Sequence, residues 1–521
     1  MDYKYMLLLL TLGAIAAFSG AQHENIPYED VNDICETCVC LTAHDGDKRY
    51  HHLLSCTLKR FKHILSRWPE EFGKNHNSVD IVATFSYNNI ELLQQLPATD
   101  AKLTFSCRHC GIKYLQEPTF IDVPNIRRLD LSWNEITSDV LTPGVFRGPY
   151  RVDHYEPIDL VDLDLSHNKL HALDKKLFEH TPNLTKLNLS YNDFTVFNAP
   201  TIAALSSVTN LQDLDLSYTA IKTVSASIFK SLLNLRILNL SGNQLTAVPD
   251  KLQLVGSSLM ALNLAENPIE RFTEQSFMGL KSLQSLNISD MPALKVIDKR
   301  VFTHLETLRR LDCAHNPKLV EFDLEGLSHC SNLTNLDISY CALTTIFVIA
   351  NVTNKSETGE TTMAKPWPHL HTFETVGNPW YCNCTLIQSM EYIGLPQGSA
   401  DSAARCDTPY YFAGELISNL TSQQICSLRI PKKFKIVEEE PPRFLRKRYI
   451  ILSVITAAVV VSVGVLIGFA IAAIRRRLKR DDFGVEPIRY TSVRSSNLSA
   501  FSHGNTNSIV VNGNGATNGN L

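Results

Sequence analysis

Hydrophobic residues recur along this chain at fixed places. In Ile126–Ile136, IRRLDLSWNEI, Ile or Leu stands at the first, fourth, sixth and eleventh places and Asn at the ninth. The template restarts at Leu160, Leu184, Leu211, Leu235, Leu259, Leu283, Leu308 and Leu333, mostly at intervals of 24 or 25 residues. Weaker copies begin near Asp80 and Lys102, and a degenerate last one near Leu370. Self-similarity at a fixed short period predicts stacked units, each burying its apolar face against its neighbours. The fourth to sixth places predict a short strand whose side chains alternate between the interior and an outer face. The fold expected is an α/β solenoid, with a curved parallel sheet on the concave face and short helices and loops on the convex side.

Each place in the template carries its own expectation. The Asn column (Asn134, Asn168, Asn192, Asn243, Asn267 and Asn316) is expected to hydrogen-bond backbone groups of neighbouring turns. Phe120, Phe146, Phe178, Phe229, Phe277 and Phe302 predict a convex-side spine. The outward fifth place is an Asp/Asn stripe, whose default meaning is solubility and local hydrogen bonding. At the eighth place stand Trp133, His167, Tyr191 and Tyr218 on successive units, then Gly242, Glu266, Asp290, His315 and Tyr340. Aromatics beside charges are the residue types that dominate protein interfaces, so Trp133, His167, Tyr191 and Tyr218 are the candidate ligand-binding residues. They are expected to line one edge of the concave face without filling the core. Two long intervals, from Ile126 to Leu160 carrying 143–157 and from Leu333 to Leu370 carrying 351–368, predict loops at an edge, which serve either recognition or tolerated surface variation. His154, Tyr155 and Trp367 are their candidate contacts.

The 13 cysteines cluster at the ends of the array. Cys35, Cys38, Cys40 and Cys56 precede it, and Cys382, Cys384, Cys406 and Cys426 follow it. An oxidising compartment lets small disulfide-stapled modules cover a solenoid's two apolar ends. Spacing alone leaves three connectivities per cap. Cys107 and Cys313 fall at the inward sixth place, Cys110 and Cys341 at the Asn place, and Cys330 has no slot, which leaves it unpaired or intermolecular. The pairs Cys35/Cys38 and Cys107/Cys110 also fit the spacing of a zinc site, but each already has a structural place, so no metal and no cofactor is expected.

The period, the Asn place and the motif NPWYCNC with RCDTPYYFAGELI resemble the leucine-rich repeats and flanking modules of animal extracellular single-pass membrane proteins, of the tartan and capricious type. That resemblance implies first-with-third and second-with-fourth pairing: Cys35 with Cys40, Cys38 with Cys56, Cys382 with Cys406 and Cys384 with Cys426. The first cap departs from the family pattern, lacking Pro after its first Cys and having a long stretch from Cys40 to Cys56. The resemblance further implies cell-surface recognition of an extracellular protein ligand or receptor, in cell adhesion or cell–cell contact. Its rivals are a co-receptor for a separate signalling receptor and an innate-immune ligand sensor.

The remaining features place the chain. Residues 6–18, MLLLLTLGAIAAF, follow Lys4 and precede small residues at Ser19 and Ala21, as in a secretory signal. Tyr449–Ile474 is apolar and uncharged, long enough to span a bilayer, and is followed by RRRLKR. The expected order is therefore a signal peptide at 1–21, an amino-terminal cap at 22–78, repeats at 79–376 and a carboxy-terminal cap at 377–428. A juxtamembrane linker at 429–448, a transmembrane helix at 449–474 and a disordered cytoplasmic tail at 475–521 complete it. This predicts a type I plasma-membrane protein with its array outside. Gly464 and Gly468 give the span a small-xxx-small pair and thereby a possible homodimer contact. Asn183, Asn332, Asn351, Asn354, Asn383 and Asn419 head glycosylation sequons. A net charge of -4 with 20% charged residues does not suggest nucleic acid as a partner. No nucleophile motif or catalytic triad stands out, so an enzyme is not expected.

Overall fold

The computed structural model describes residues 34–44, 50–73, 79–348, 366–394 and 403–427. All of these lie in one compact unit, Met1–Arg429. The expected signal peptide, membrane span and tail fall outside the described residues, as do Asn351 and Asn354. Among the described residues no helix is long and apolar enough to cross a membrane.

One 14-stranded sheet runs from Val39–His44 to Thr372–Glu374. Val39–His44 and Tyr50–Ser55 pair antiparallel, and the strands that follow stack in parallel. Because successive units are nearly equal in length, like places pair with like: Lys186 with Asp213, Leu187 with Leu214, Asn188 with Asp215. The repeated Leu positions are therefore brought together in one continuous core. Leu184, Leu187, Leu189 and Phe194, at the first, fourth, sixth and eleventh places of one unit, are all buried.

A leucine-lined core still contains backbone polar groups, and the ninth-place Asn satisfies them. Asn192 donates from Nδ2 to the carbonyls of Leu165 (3.0 Å) and Leu189 (3.0 Å), while its Oδ1 accepts from the Leu170 N–H at 2.9 Å. Asn168 and Asn267 repeat the pattern. Asn88 and Asn378 extend the column into the units with the weaker template. Each such amide links three backbone groups, and leaving a buried one unsatisfied costs ~1–3 kcal/mol. On the convex side the six template phenylalanines are buried, with Phe120 stacked on Phe146 at 6.0 Å and Phe277 on Phe302 at 6.3 Å. Two short helices stand there too, Ala199–Ser207 capped by Asn198 and Ala226–Ser231 capped by Ser225.

Both array ends carry disulfides: Cys35–Cys40 and Cys38–Cys56 at one, Cys382–Cys406 and Cys384–Cys426 at the other. Two cysteine expectations change. Cys107 and Cys110 do occupy the sixth and ninth places, but they are bonded to each other rather than standing as two separate thiols. Cys330 has a slot after all. It sits three residues before Leu333, where Leu232 stands before Leu235 and Leu305 before Leu308, and the Leu333 N–H donates to its carbonyl at 3.0 Å. Burial removes it from intermolecular pairing and pushes its thiol pKa up to about 12. Cys341 takes the role of the Asn amide, its thiol donating to the Cys313 carbonyl at 3.3 Å.

Candidate functional site

The eighth place is where the chain leaves the strand, and there the backbone is left-handed: φ is 61° at Tyr87, 52° at His109, 58° at Trp133, 52° at His167, 55° at Tyr191 and 52° at Tyr218. For a residue with a side chain this conformation costs ~1–2 kcal/mol. Two things offset it. The N–H stays in the ladder, Trp133 donating to the Ser166 carbonyl at 3.0 Å and Tyr191 to that of Ser217 at 2.9 Å. The side chains, all turned the same way at strand spacing, lie flat on one another.

They form a continuous ring stack. Tyr87 to His109 is 4.9 Å between centroids, His109 to Trp133 4.6 Å, Trp133 to His167 3.6 Å, His167 to Tyr191 4.0 Å and Tyr191 to Tyr218 4.4 Å. Interplanar angles run from 11° to 30°. Trp133, His167, Tyr191 and Tyr218 are thus brought together, and Tyr87 and His109 join them. These two were missed because FSYNNI and CRHCGI lie in the weaker units. The signal for them was the residue before Asn88 and before Cys110, read at the same place of the template.

The stack ends in a fitted way. Gly242, with φ of 65°, is the next eighth-place residue, and a Cβ there would lie 2.3 Å from the Tyr218 ring. Glycine lets that ring lie over the following unit, so that the Tyr218 hydroxyl donates to Glu266, two units on. That bond, more than burial, holds the Tyr218 hydroxyl pKa well above its usual value. Tyr340 repeats the device over Gly377 and stacks on His315 at 4.7 Å.

The stacked eighth-place aromatics lie face on face and stay partly exposed. Trp133 keeps 39% exposure and Tyr191 44%. Each face-to-face contact contributes ~0.5–1.5 kcal/mol, so removing these rings costs stability as well as any contact they make. Arg108 lies 5.7 Å from the Trp133 centroid. Burial first, then the Arg108 charge, hold both His109 and His167 below the usual imidazole pKa, with His109 adding to the effect on His167.

Beside the stack lies the concave sheet face. Its fifth-place Asp/Asn stripe is engaged locally: Asp130 accepts from the Ser132 N–H at 3.0 Å, Asp164 from Ser166 at 2.8 Å and Asp215 from Ser217 at 2.8 Å. Asn188 donates sideways to Asp164 at 3.0 Å and Asn239 to Asp215 at 2.9 Å. Burial raises the carboxyl pKa of Asp164, Asp213 and Asp312. In the third-place column charges alternate, Arg128, Asp162, Lys186 and Asp213, with Arg128 3.9 Å from Asp162. The column then turns apolar and small at Ile237 and Ala261.

The other candidates separate. The first insertion builds a 3₁₀ turn, Pro143–Phe146, and a two-stranded hairpin, Tyr150–Arg151 with His154–Tyr155. Trp367 is not a loop contact: it is 2% exposed and its indole N–H donates to the Leu327 carbonyl at 3.0 Å, which makes it core. Among the sequons, Asn183, Asn332 and Asn419 are exposed, and Asn383 caps the helix Cys384–Ile393 by accepting from the Leu386 N–H at 2.9 Å. Among the described residues no three His, Cys, Asp or Glu side chains group as metal ligands.

Family models for the leucine-rich repeat match residues 158–212, 209–254 and 124–139, and a model for the BspA-type leucine-rich-repeat region matches 255–353. No curated protein matches the sequence. Among solved structures, a leucine-rich-repeat protein of Leptospira interrogans is 18% identical over 65% of this chain and 92% of its own, with a TM-score of 0.43. A chain of the Drosophila Toll–Spatzle complex is 18% identical over 68% of this chain and 55% of its own, TM-score 0.43. The octameric complex of Latrophilin 3, Unc5D and FLRT2 gives 18% identity over 74% of this chain and 98% of the matched one, TM-score 0.40. The repeat matches and the parallel stack of like places show that this chain carries leucine-rich repeats, stacked as a disulfide-bearing, solenoid-like parallel sheet.

Proposed function

We propose that this chain is a cell-surface recognition protein whose array stands outside the plasma membrane on a single type I span and binds a protein partner in adhesion or cell–cell contact. The observation that carries the reading is the ring stack from Tyr87 to Tyr218. Six rings with centroids 3.6–4.9 Å apart make a rib of roughly 20 Å, an appropriate scale for a protein interface. Because stacking already fixes their rotamers, these aromatics lose little entropy on binding, which distinguishes them from mobile surface side chains. The rib borders the concave face, so its ring edges and the Arg128–Asp162–Lys186–Asp213 column present one surface of mixed aromatic and charged character. Such a surface suits binding rather than catalysis.

Expression of the full chain on cells that do not otherwise adhere tests this reading. Clustering of those cells, with one another or with cells carrying the partner, is the expected result. The Gly464 and Gly468 pair favours a second reading, a co-receptor associating through its helix. Ligand-dependent signalling without clustering supports that alternative, and full surface display with neither effect overturns both.

A further inference from the structure

A cleft lies on the convex side, between the insertion hairpin and the segment 176–182 of the following unit. Arg147, Tyr155, His154, Lys176 and His180 line it together with Glu117 and Thr142. The Arg147 guanidinium rests 4.9 Å from the Tyr155 ring centroid, and Tyr155 meets His180 edge-on at 6.3 Å. The cations do not all have partners. Lys176 pairs with Glu179 at 3.1 Å, and Glu117 takes the Thr142 hydroxyl and packs on Gly144, where a Cβ would lie 2.0 Å from its Oε2. Among the described residues no carboxylate lies within ion-pair distance of Arg147.

We infer that this cleft is a second recognition site, one that takes a carboxylate side chain from an acidic peptide segment of a protein partner. Arg147 offers a planar guanidinium, held in place by Tyr155, with the fork geometry that matches a carboxylate. His180 lies within the same positive field. Burial chiefly, with Arg147 and Lys176 against the opposing pull of Glu179, holds its imidazole below the usual pKa, and an anion would relieve that repulsion. The rest of the lining argues for a peptide over a sulfated polysaccharide. Pro143, Pro157 and Pro182 form apolar walls, there is one unpaired guanidinium rather than a row of them, and Glu117 and Glu179 would repel a polyanion. The site is independent of the ring stack, so it stands or falls separately from the adhesion reading.

The test measures binding of a fluorescein-labelled peptide, acetyl-Pro-Glu-Phe-Glu-Pro-amide, to the purified full chain by anisotropy, beside the same peptide with Gln for Glu and a heparin hexasaccharide. Saturable binding of the Glu peptide alone is expected, with Arg147→Ala weakening it about tenfold and Arg147→Lys losing much of that too, since a point charge does not reproduce the fork. Tyr155→Phe keeps the ring and should leave binding nearly unchanged, and Tyr191→Ala in the ring stack should leave it unchanged. Equal binding of the Gln peptide, an Arg147→Ala chain that binds as well as wild type, or Arg147-dependent binding of the hexasaccharide alone would each overturn the inference.

Discussion

The two halves of the array share one backbone conformation and differ most plainly at the eighth place. From Tyr87 to Tyr218 every eighth-place residue is a ring, and the rings stack. From Gly242 to Asp290 the same left-handed position holds Gly242, Glu266 and Asp290, with φ of 65°, 56° and 55°. Since the conformation persists without the rings, the rings are not what creates it; strand pairing and the Asn column are. The eighth place is therefore free to vary while the fold stays, and a continuous run of six rings in one half is a property of that surface rather than of the repeat.

Four experiments break or sharpen this contrast, in falling order of effect. Leu187→Ala and Leu286→Ala remove the fourth-place Leu from one half each. Both residues are buried, so thermal or denaturant melting should show losses of ~2–5 kcal/mol each, similar in the two halves. A large asymmetry would mean the scaffold itself differs. Trp133→Ala loses two ring contacts and should cost ~1–3 kcal/mol, while Asp290→Ala, which removes no ring and only the bond accepted from the Ser289 hydroxyl at 3.0 Å, should stay within ~0.5 kcal/mol. Equal costs would deny the stack any stabilising role.

Gly242→Ala probes the border between the halves. It forces a Cβ to φ of 65° and toward the Tyr218 ring, so a loss of ~1–2 kcal/mol is expected, together with a fall of the Tyr218 hydroxyl pKa toward normal as the Glu266 bond is disturbed. Ultraviolet titration of tyrosinate reads the second effect. The smallest effect is the pH dependence at Asp164. Burial raises its folded-state pKa above the usual carboxylate value, so the acid form is the favoured one in the fold. That contribution is full below the unfolded pKa near 3.8 and is lost as pH rises through the raised folded value. Asp164→Asn should flatten this part of the melting-versus-pH curve; an unchanged slope would assign the slope to other groups.

Much of this was legible in the sequence because the repeat's physics is local and periodic. The inward Leu places, the Asn column and the phenylalanine spine follow from spacing, since equal unit lengths force like places to meet. The pairing of Cys107 with Cys110 was not legible: both residues fit their repeat slots, and spacing does not say that two slots of one turn face each other. Cys330 was missed because its slot lies outside the eleven-residue template, in the convex return. Trp367 was misplaced because insertion length says nothing about which residue turns inward. The ring stack was half legible. Its column could be read, but the left-handed turn that lays ring on ring depends on backbone geometry that no residue type in the column announces, Tyr and His being ordinary residues elsewhere.

If the proposed partner meets the rib at Tyr87–Tyr218 and not the far half, a glycan is the cleanest obstruction, because it leaves every ring in place. Asp193→Asn, ahead of Phe194 and Thr195, creates an acceptor on an exposed residue beside Tyr191, and Ala342→Asn, ahead of Leu343 and Thr344, creates one beside Tyr340. Clustering of cells displaying each full chain at matched surface level, with glycan occupancy verified by mass shift, is the measurement. Loss of clustering for Asp193→Asn with retention for Ala342→Asn is the predicted result; retention for Asp193→Asn, with its glycan present, would contradict the account.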